Sequence, residues 1–334
     1  MINRYVRVLL CFACVCLLAS CQQQNKQESG EKRYPLSGMK TDGDIQKRPI
    51  AVVVNNHSKA RPQSGLSKAD IVIEALAEGR ITRFLAIFQS EMPEAVGPVR
   101  SAREYFIDLA LGFDAVFVHH GWSPGAKSRL ESGEADYVNG MDYDGSLFWR
   151  ADFRQAPHNS YTSFENIKQA AEEKGYALKA RTDSLPFTES RKKPSKPLYS
   201  IRLDYGTTSV ANRVEYGYDQ KADGYVRTSN GAVTTDLETD KPVILQNILI
   251  AEAEHHQKDA YGRREIDLMS GGKGLLLQNG EVRQINWKNE NGRIIPVDDG
   301  KTVPFVPGKT WINIIPDLSK VSISKGEGVN DADR

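Results

Sequence analysis

The chain has 334 residues, of which 40% are hydrophobic and 26% charged, and its formal net charge at pH 7 is +1. This length exceeds what one hydrophobic core usually serves and predicts two domains. Because acidic and basic residues nearly cancel, no global field attracts nucleic acid, so we expect no nucleic-acid partner and only a local anion site.

The N-terminal segment has the features of an export signal that is cleaved before a cysteine. Arg4 and Arg7 form a positive start, and residues 8–18 form an apolar run shorter than a comfortable bilayer span. The pattern predicts a lipoprotein signal peptide over residues 1–20 and diacylation of Cys21. We therefore expect a lipid-anchored protein on the extracytoplasmic face of the cell membrane, whose first partner is the bilayer itself. An ordinary secreted protein and a membrane helix are the alternatives.

Two further segments contain few apolar residues that could pack in a hydrophobic core. Residues 21–48 are rich in Gln, Lys, Glu, Ser and Gly, which predicts a flexible tether. Residues 191–205 begin with like charges and two prolines, which predicts a linker. The expected domains are therefore residues 49–190 and 206–325.

In the first domain, several apolar runs are continuous rather than alternating, which is typical of strands covered on both faces. These runs are residues 50–54, 71–73, 84–88 and 115–118. Between the last two runs, Ser101 and Glu104 form a capping-box pattern ahead of a helical apolar period, and Thr162 with Glu165 repeats the pattern later. The first domain is predicted to be α/β or α+β with a mixed sheet.

The second domain has short alternating or apolar runs divided by Asn-Gly and Asp-Gly pairs. Such pairs accept the positive φ angles of tight hairpin turns. They are Asn230-Gly231, Asn279-Gly280, Asn291-Gly292 and Asp299-Gly300. This half is predicted to be mostly antiparallel β, as a small barrel or sandwich.

One serine matches the Gly-x-Ser-x-Gly pattern of a hydrolase nucleophile elbow, at Gly121, Ser123 and Gly125. The residue after that serine must donate its backbone N–H to an oxyanion, and Pro124 has none. We therefore interpret Ser123 as a helix N-cap with proline at the first helical position.

The segment 97–103 is the strongest candidate for a ligand site. It places Arg100, Ser101 and Arg103 at the start of the predicted helix, where free N–H groups and the helix dipole favour an anion. Arginine is the side chain best suited to fork onto phosphate or carboxylate. This pattern predicts an anion-binding site.

Two more arginines could join this site if the flanking strand ends converge, namely Arg61 and Arg83. The alternative for each arginine is an ion pair with a nearby carboxylate such as Glu78, or plain solvation.

Histidines supply weaker candidates for catalysis. His57 follows the first predicted strand and His158 precedes the second predicted helix, and Asp70 or Glu74 could complete a general acid or base pair. A structural role is the more common fate of a single histidine. Their spacing demands no metal and no nucleotide motif occurs, so we expect neither a metal nor a cofactor, and the sequence leaves enzymatic activity undecided.

Several segments together resemble the YerB-like lipoproteins of Gram-positive bacteria, a two-part family of unknown function. They are residues 48–56, 60–66, 69–70, 97–103 and 156–159. The resemblance implies an exported, lipid-anchored design over residues 49–318 in two parts, but it supplies no reaction. It also implies that the characteristic segments contain Arg61, Arg100, Ser101, Arg103 and His158.

These observations favour an envelope lipoprotein whose first domain binds an anionic ligand that bears phosphate or carboxylate. Two alternatives remain open. One is a non-catalytic scaffold that recruits a protein partner to the membrane, and the other is a hydrolase or transferase acting on a cell-wall precursor through a His/carboxylate pair.

Overall fold

The computed structural model describes residues 31–192, 194, 198–205 and 213–326. The predicted signal peptide and Cys21 lie outside the described residues. Within those ranges, no helix is both long enough and apolar enough to cross a bilayer.

The helices and the strands of the first half have the following bounds. The helices are α1 (Glu104–Leu111), α2 (Pro124–Glu131) and α3 (Phe164–Glu173). The strands are β1 (Ile50–Asn55), β2 (Ile71–Glu78), β3 (Ile81–Phe88), β4 (Val116–His119), β5 (Tyr137–Asn139), β6 (Phe148–Arg150) and β7 (Ser160–Thr162).

The second half contains strands and short 3-10 turns. The strands are β8 (Leu198–Asp204), β9 (Arg213–Asp219), β10 (Gly224–Ser229), β11 (Ala232–Val233), β12 (Thr235–Asp236), β13 (Lys241–Pro242), β14 (Ile244–Leu245), β15 (Asn247–Glu252), β16 (His255–Gln257), β17 (Arg264–Ile266), β18 (Gly272–Gln278), β19 (Glu281–Glu290), β20 (Arg293–Asp298), β21 (Lys301–Thr302), β22 (Thr310–Ile315) and β23 (Val321–Gly326). Single 3-10 turns lie in the first half at Ser58–Ala60 and Leu66–Lys68, and in the second half at Leu318–Lys320.

An eleven-stranded central sheet has the order β21-β20-β19-β18-β15-β22-β2-β3-β1-β4-β5. Strand β3 pairs antiparallel with β1 and β2, whereas β4 pairs in parallel with β1 and with β5. Strand β22 pairs in parallel with both β2 and β15. Strands β1, β2, β4, β5, β15 and β22 therefore run in one direction, and the predicted mixed sheet is confirmed.

The second half is mostly antiparallel, as predicted, but its expected barrel or sandwich is wrong. Strands β15 and β18–β22 extend the sheet that β1–β5 begin, so both predicted domains contribute to it. The physical reason is visible in β22, where all six residues are buried, as in β1. A strand that is apolar on both faces requires a central position between covered faces.

The hairpin turns of the second half are confirmed at all four predicted Asn-Gly and Asp-Gly pairs. Both residues of each pair have positive φ, as at Asn279 (51°) and Gly280 (78°) between β18 and β19. These are the angles that a two-residue type I′ turn requires.

Alternate residues of β1 face opposite sides of the central sheet, and both sides are covered. Ala51 and Val53 pack in a core that includes α1 and α2. Val52 and Val54 pack in a core that includes α3 and a second sheet of order β11-β10-β9-β8-β23, in which β14 also pairs with β10.

Two predicted unstructured segments contain ordered structure. Leu36 is fully buried, and an isolated bridge joins Arg33 to Lys40, so residues 31–48 of the predicted tether pack on the fold. Burial of Leu36 offsets part of the conformational entropy lost when this polar segment is ordered. Likewise, β8 lies within the range 191–205 that was predicted to be a linker.

Candidate functional site

Three parallel strands end side by side at what we call the carboxyl edge of the central sheet. Strand β1 ends at Asn55, β4 at His119 and β5 at Asn139. In open α/β sheets, ligands bind outside the carboxyl ends of the strands.

The segment 97–103 lies across this edge. The backbone N–H of Arg100 donates to Val53 O at 2.8 Å, and the N–H of His120 donates to Arg100 O at 3.0 Å. Arg100 is thus held by main-chain bonds between the ends of β1 and β4, with its side chain free to serve another purpose.

The Arg100 guanidinium has no anionic partner among the described residues. Its Nη1 donates to Pro157 O at 3.2 Å, and its buried Nε has no hydrogen-bond partner. Burial, followed by the nearby charges of Arg83 and Arg150, lowers the pKa of Arg100 to about 10. A partly buried cation without a counter-charge costs free energy that a bound anion would offset.

Arg83 and Arg103 differ from Arg100, because both form ion pairs with Glu78. Arg83 Nη2 lies 2.7 Å from Glu78 Oε2, and Arg103 Nη2 contacts Glu78 Oε1. Each also donates to the loop, Arg83 to Ser101 O at 2.7 Å and Arg103 to Ala102 O at 2.5 Å. For Arg83 and Arg103, therefore, the structure shows the alternative to an anion site, which is an ion pair with a carboxylate.

Ser101 does not cap a helix, so the predicted capping box is wrong. Helix α1 begins at Glu104 after Arg103 in extended conformation, and Ser101 Oγ instead donates to His120 O at 3.1 Å. The segment is held in register with the residues after β4 by a bridge between Ala102 and Trp122, which delays the helix.

The other helix starts compare as follows. The cap of α3 is Ser163, whose Oγ accepts the N–H of Asn166 at 3.1 Å, one residue later than the predicted Thr162. The interpretation of Ser123 as an N-cap is confirmed, since its Oγ accepts the N–H of Ala126 at 3.3 Å.

His57 and His158 stack on each other beside Asn55, with ring centroids 4.5 Å apart. Asn55 Oδ1 accepts the N–H of His57, so its amide nitrogen donates to His158 Nδ1 at 2.8 Å. His57 Nδ1 accepts the N–H of Lys59 at 3.1 Å. Both neutral rings therefore carry their proton on Nε2, which leaves two N–H donors.

The electrostatics of the two histidines are set by burial and by surrounding cations. Burial first, then Lys59, Arg61 and Arg100, lowers the pKa of His57. Burial first, then His57 and neighbouring cations that include Arg100, lowers the pKa of His158. A bound anion would reverse the effect of the cations on both rings.

Arg61 lies on the same side, but it faces inward. Its Nε donates to Asn56 Oδ1 at 3.0 Å and its Nη2 to Asn56 O at 2.9 Å, and burial lowers its pKa to about 10. It forms no ion pair with the described carboxylates.

The two carboxylates predicted to assist the histidines lie elsewhere. Asp70 precedes β2 at the opposite edge, where its carboxylate accepts the N–H groups of Gln89 (2.7 Å) and Ser90 (2.9 Å). Glu74 is fully buried between the two sheets and pairs with Arg227 at 2.8 Å. The structure therefore does not bring either carboxylate to His57 or His158.

Sequence reasoning did not include two further residues that lie beside this site, Arg154 and His120. Arg154 donates from Nη1 to Lys59 O at 3.0 Å and from Nη2 to Pro62 O, and its Nε has no partner. His120 accepts from Arg150 at Nε2 (3.0 Å) and binds Ser160 Oγ through Nδ1 (2.7 Å). The sequence signal for Arg154 was its closeness to the segment 156–159.

Comparisons with known proteins agree with this architecture. The chain matches the N-terminal domain of a protein of unknown function (DUF3048) over residues 36–177 and its C-terminal domain over residues 201–312. It is 66% identical over 323 residues to "Putative lipoprotein YerB" of Bacillus subtilis (strain 168), covering 96% of this chain and 97% of that protein. The chain belongs to the DUF3048 family. The resemblance to YerB-like lipoproteins is thereby confirmed.

The family also has a solved structure to which this fold is similar. The crystal structure of the YerB protein from Bacillus subtilis matches with a TM-score of 0.84 and 66% identity, over 88% of this chain and 100% of that chain. All residues of the carboxyl-edge site fall within the range matched by the N-terminal DUF3048 domain.

Proposed function

We propose that this DUF3048 protein is a lipid-anchored extracytoplasmic lipoprotein that binds an anionic envelope ligand, bearing phosphate or carboxylate, at the carboxyl edge. The observation that carries the proposal is the half-buried Arg100 guanidinium, which faces no carboxylate among the described residues and lies beside the stacked pair of His57 and His158.

The anchoring part of the proposal draws on two supports. The N-terminal segment ends in a cleavage pattern before Cys21, and a relative with 66% identity is named a lipoprotein. Two acyl chains at one sulfur would give firm attachment.

The binding part follows from the donors available. Arg100 offers guanidinium N–H groups, and His57 with His158 offers Nε2–H donors close by. Hydrogen bonds between charged partners contribute about 1.5–3 kcal/mol each in proteins. Arg61 and Arg154 raise the local positive potential, whereas Arg83, Arg103 and Ser101 hold the segment in place.

The test uses calorimetric titration of the chain from residue 22 onward with inorganic phosphate, glycerol phosphate and glucuronate. We expect Arg100→Gln to weaken binding of the preferred probe about 10- to 100-fold, because one charge-assisted contact is lost. The control is Arg181→Gln, which likewise removes one arginine charge; Arg181 is exposed and precedes Thr182, whose Oγ1 accepts from Gln89 at the opposite edge.

Two results would count against the proposal. Equal losses for Arg100→Gln and Arg181→Gln would indicate a general charge effect rather than a site. Absence of binding for every probe would favour the scaffold, whereas conversion of a probe that stops in His158→Gln would favour the enzyme.

A further inference from the structure

A second groove, of about 750 Å³, opens at the amino ends of three other strands of the central sheet that run in the same direction as β1, β4 and β5. Its lining includes Gln246 and Lys309, which directly precede β15 and β22, and Lys68, which lies three residues before β2. We call it the amino-edge groove. It lies across the sheet from Arg100 and is separated from it by the length of a six-residue strand such as β1, about 20 Å.

The amino-edge groove is predominantly cationic. Its basic lining residues are Arg33, Lys40, Lys68, Arg191, Lys241 and Lys309. They outnumber the carboxylates that line the groove or pair with these cations, which are Glu189, Glu31, Glu91 and Asp223. A net positive surface therefore faces solvent here.

An exposed apolar side chain lies among these cations. Met39 is 49% exposed and lines the groove next to Lys40, and Pro242, Ile244 and Pro307 contribute further apolar surface. Basic side chains around an apolar one are the combination that interfacial membrane-binding surfaces use. A soluble phosphate would use the cations but gain nothing from Met39.

The groove also lies beside the first described residues of the chain. Glu31, the first described residue, lies 2.6 Å from Lys40 Nζ through its carboxylate. The ten residues from Cys21 to Gly30 can span at most about 35 Å. An anchor at Cys21 would therefore hold this groove close to the bilayer surface.

We propose that the amino-edge groove docks on the anionic phospholipid headgroups of the membrane that holds Cys21, with Met39 at the apolar boundary. The proposal rests on the lipid anchor of the proposed function, but not on its ligand site. Docking in this way directs the carboxyl edge, with Arg100, away from the membrane and toward the rest of the envelope.

The test measures vesicle co-sedimentation of the unacylated chain from residue 22 onward. This chain retains every residue that the structure describes, since these begin at Glu31. The vesicles are phosphatidylcholine alone, or phosphatidylcholine in which about one third of the lipid is phosphatidylglycerol. We expect binding only to the anionic vesicles, and weaker binding as the salt concentration rises.

The variant Lys40→Gln/Lys241→Gln removes two exposed groove charges and should weaken binding to the anionic vesicles about tenfold or more. Its control, Lys168→Gln/Lys301→Gln, removes two exposed charges outside the groove and should leave binding within about twofold. Met39→Gln should weaken binding by a smaller factor, because only the apolar contact is lost.

Several results would overturn the proposal. They are equal binding to neutral vesicles, equal losses in the two double variants, or full competition by free glycerol phosphate, which would assign the groove to a soluble anion. Arg100→Gln should bind the anionic vesicles normally, so failure of the carboxyl-edge site and failure of this surface are distinguishable.

Discussion

Two regions of the molecule bury guanidinium groups, and they differ in what faces them. Between the two sheets, Arg227 lies 4.9 Å from the centroid of Trp311 and pairs with Glu74, whose carboxylate also accepts from Asn56 and Thr82. At the carboxyl edge, Arg100 has a carbonyl contact and an unpartnered Nε. The Nε of Arg227 also has no hydrogen-bond partner, so the two regions differ in counter-charge: the Glu74 carboxylate pairs with Arg227, whereas no carboxylate among the described residues pairs with Arg100.

This difference distinguishes a buried charge that stabilises the fold from a partly buried charge that is available to a ligand. A buried charge that is paired with an opposite charge contributes to one unique packing, and its removal leaves the partner unpaired. A half-buried charge without a counter-charge costs free energy in the absence of a ligand, which is the usual signature of a binding site. Substitutions between the two sheets should therefore lower the free energy of unfolding, whereas substitutions of Arg100 should mainly weaken ligand binding.

The largest expected effect is on the inter-sheet pair. Arg227→Met should lower the free energy of unfolding by about 3–5 kcal/mol, because it leaves the Glu74 carboxylate buried without its cation. Arg100→Met should change it by no more than about 1 kcal/mol. Urea denaturation monitored by fluorescence measures both values.

The double variant Glu74→Gln/Arg227→Met is the control for this prediction. It removes both charges but keeps an acceptor for Asn56 and Thr82, so it should be more stable than Arg227→Met alone. If Arg100→Met were as destabilising as Arg227→Met, the contrast between the two regions would be lost.

The next effect concerns acid stability, since His119 is fully buried beneath the carboxyl edge. Burial lowers the pKa of His119 to about 4, despite a hydrogen bond between its Nδ1 and Gly121 O at 2.8 Å. Between pH 6.5 and 4 the unfolded chain takes up a proton that the folded chain does not. The His119 contribution to stability should therefore fall by about 3 kcal/mol on acidification through this range.

His119→Gln tests this assignment through the slope of stability against pH. The variant should lose most of the His119 contribution, while His255, whose pKa burial also lowers to about 4, contributes equally in both proteins. An unchanged slope in His119→Gln would show that another group titrates.

Much of the fold could be predicted from local patterns. Continuous apolar runs identified β1 to β4, and Asn-Gly or Asp-Gly pairs identified the hairpins, because both signals depend only on neighbouring residues. The error over the second half arose from strand pairing. Thr310 of β22 pairs with Ile71 of β2, and no local pattern in either segment specifies a partner so distant in the chain.

The candidate site was predictable as a segment but not residue by residue. Arg100 and Arg103 are three positions apart and have the same chemistry. Only the folded β2 shows that Glu78 lies beside Arg103 and not beside Arg100. The stacking of His57 on His158 likewise requires two loops to meet, which spacing along the chain cannot show.

The smallest effect compares the two serines at helix starts. In α3, Ser163 Oγ satisfies the N–H of Asn166, whereas α1 begins at the carboxyl edge without a side-chain cap. Ser163→Ala should therefore lower the free energy of unfolding by about 1 kcal/mol, and Ser163→Asp should restore it, because aspartate also caps and favours the helix dipole. Ser101→Ala should cost less, about 0.5 kcal/mol, since only its bond to His120 O is lost. An equal or larger loss in Ser101→Ala would indicate that Ser101 caps α1 in solution and that the helix N-terminus is not open to a ligand.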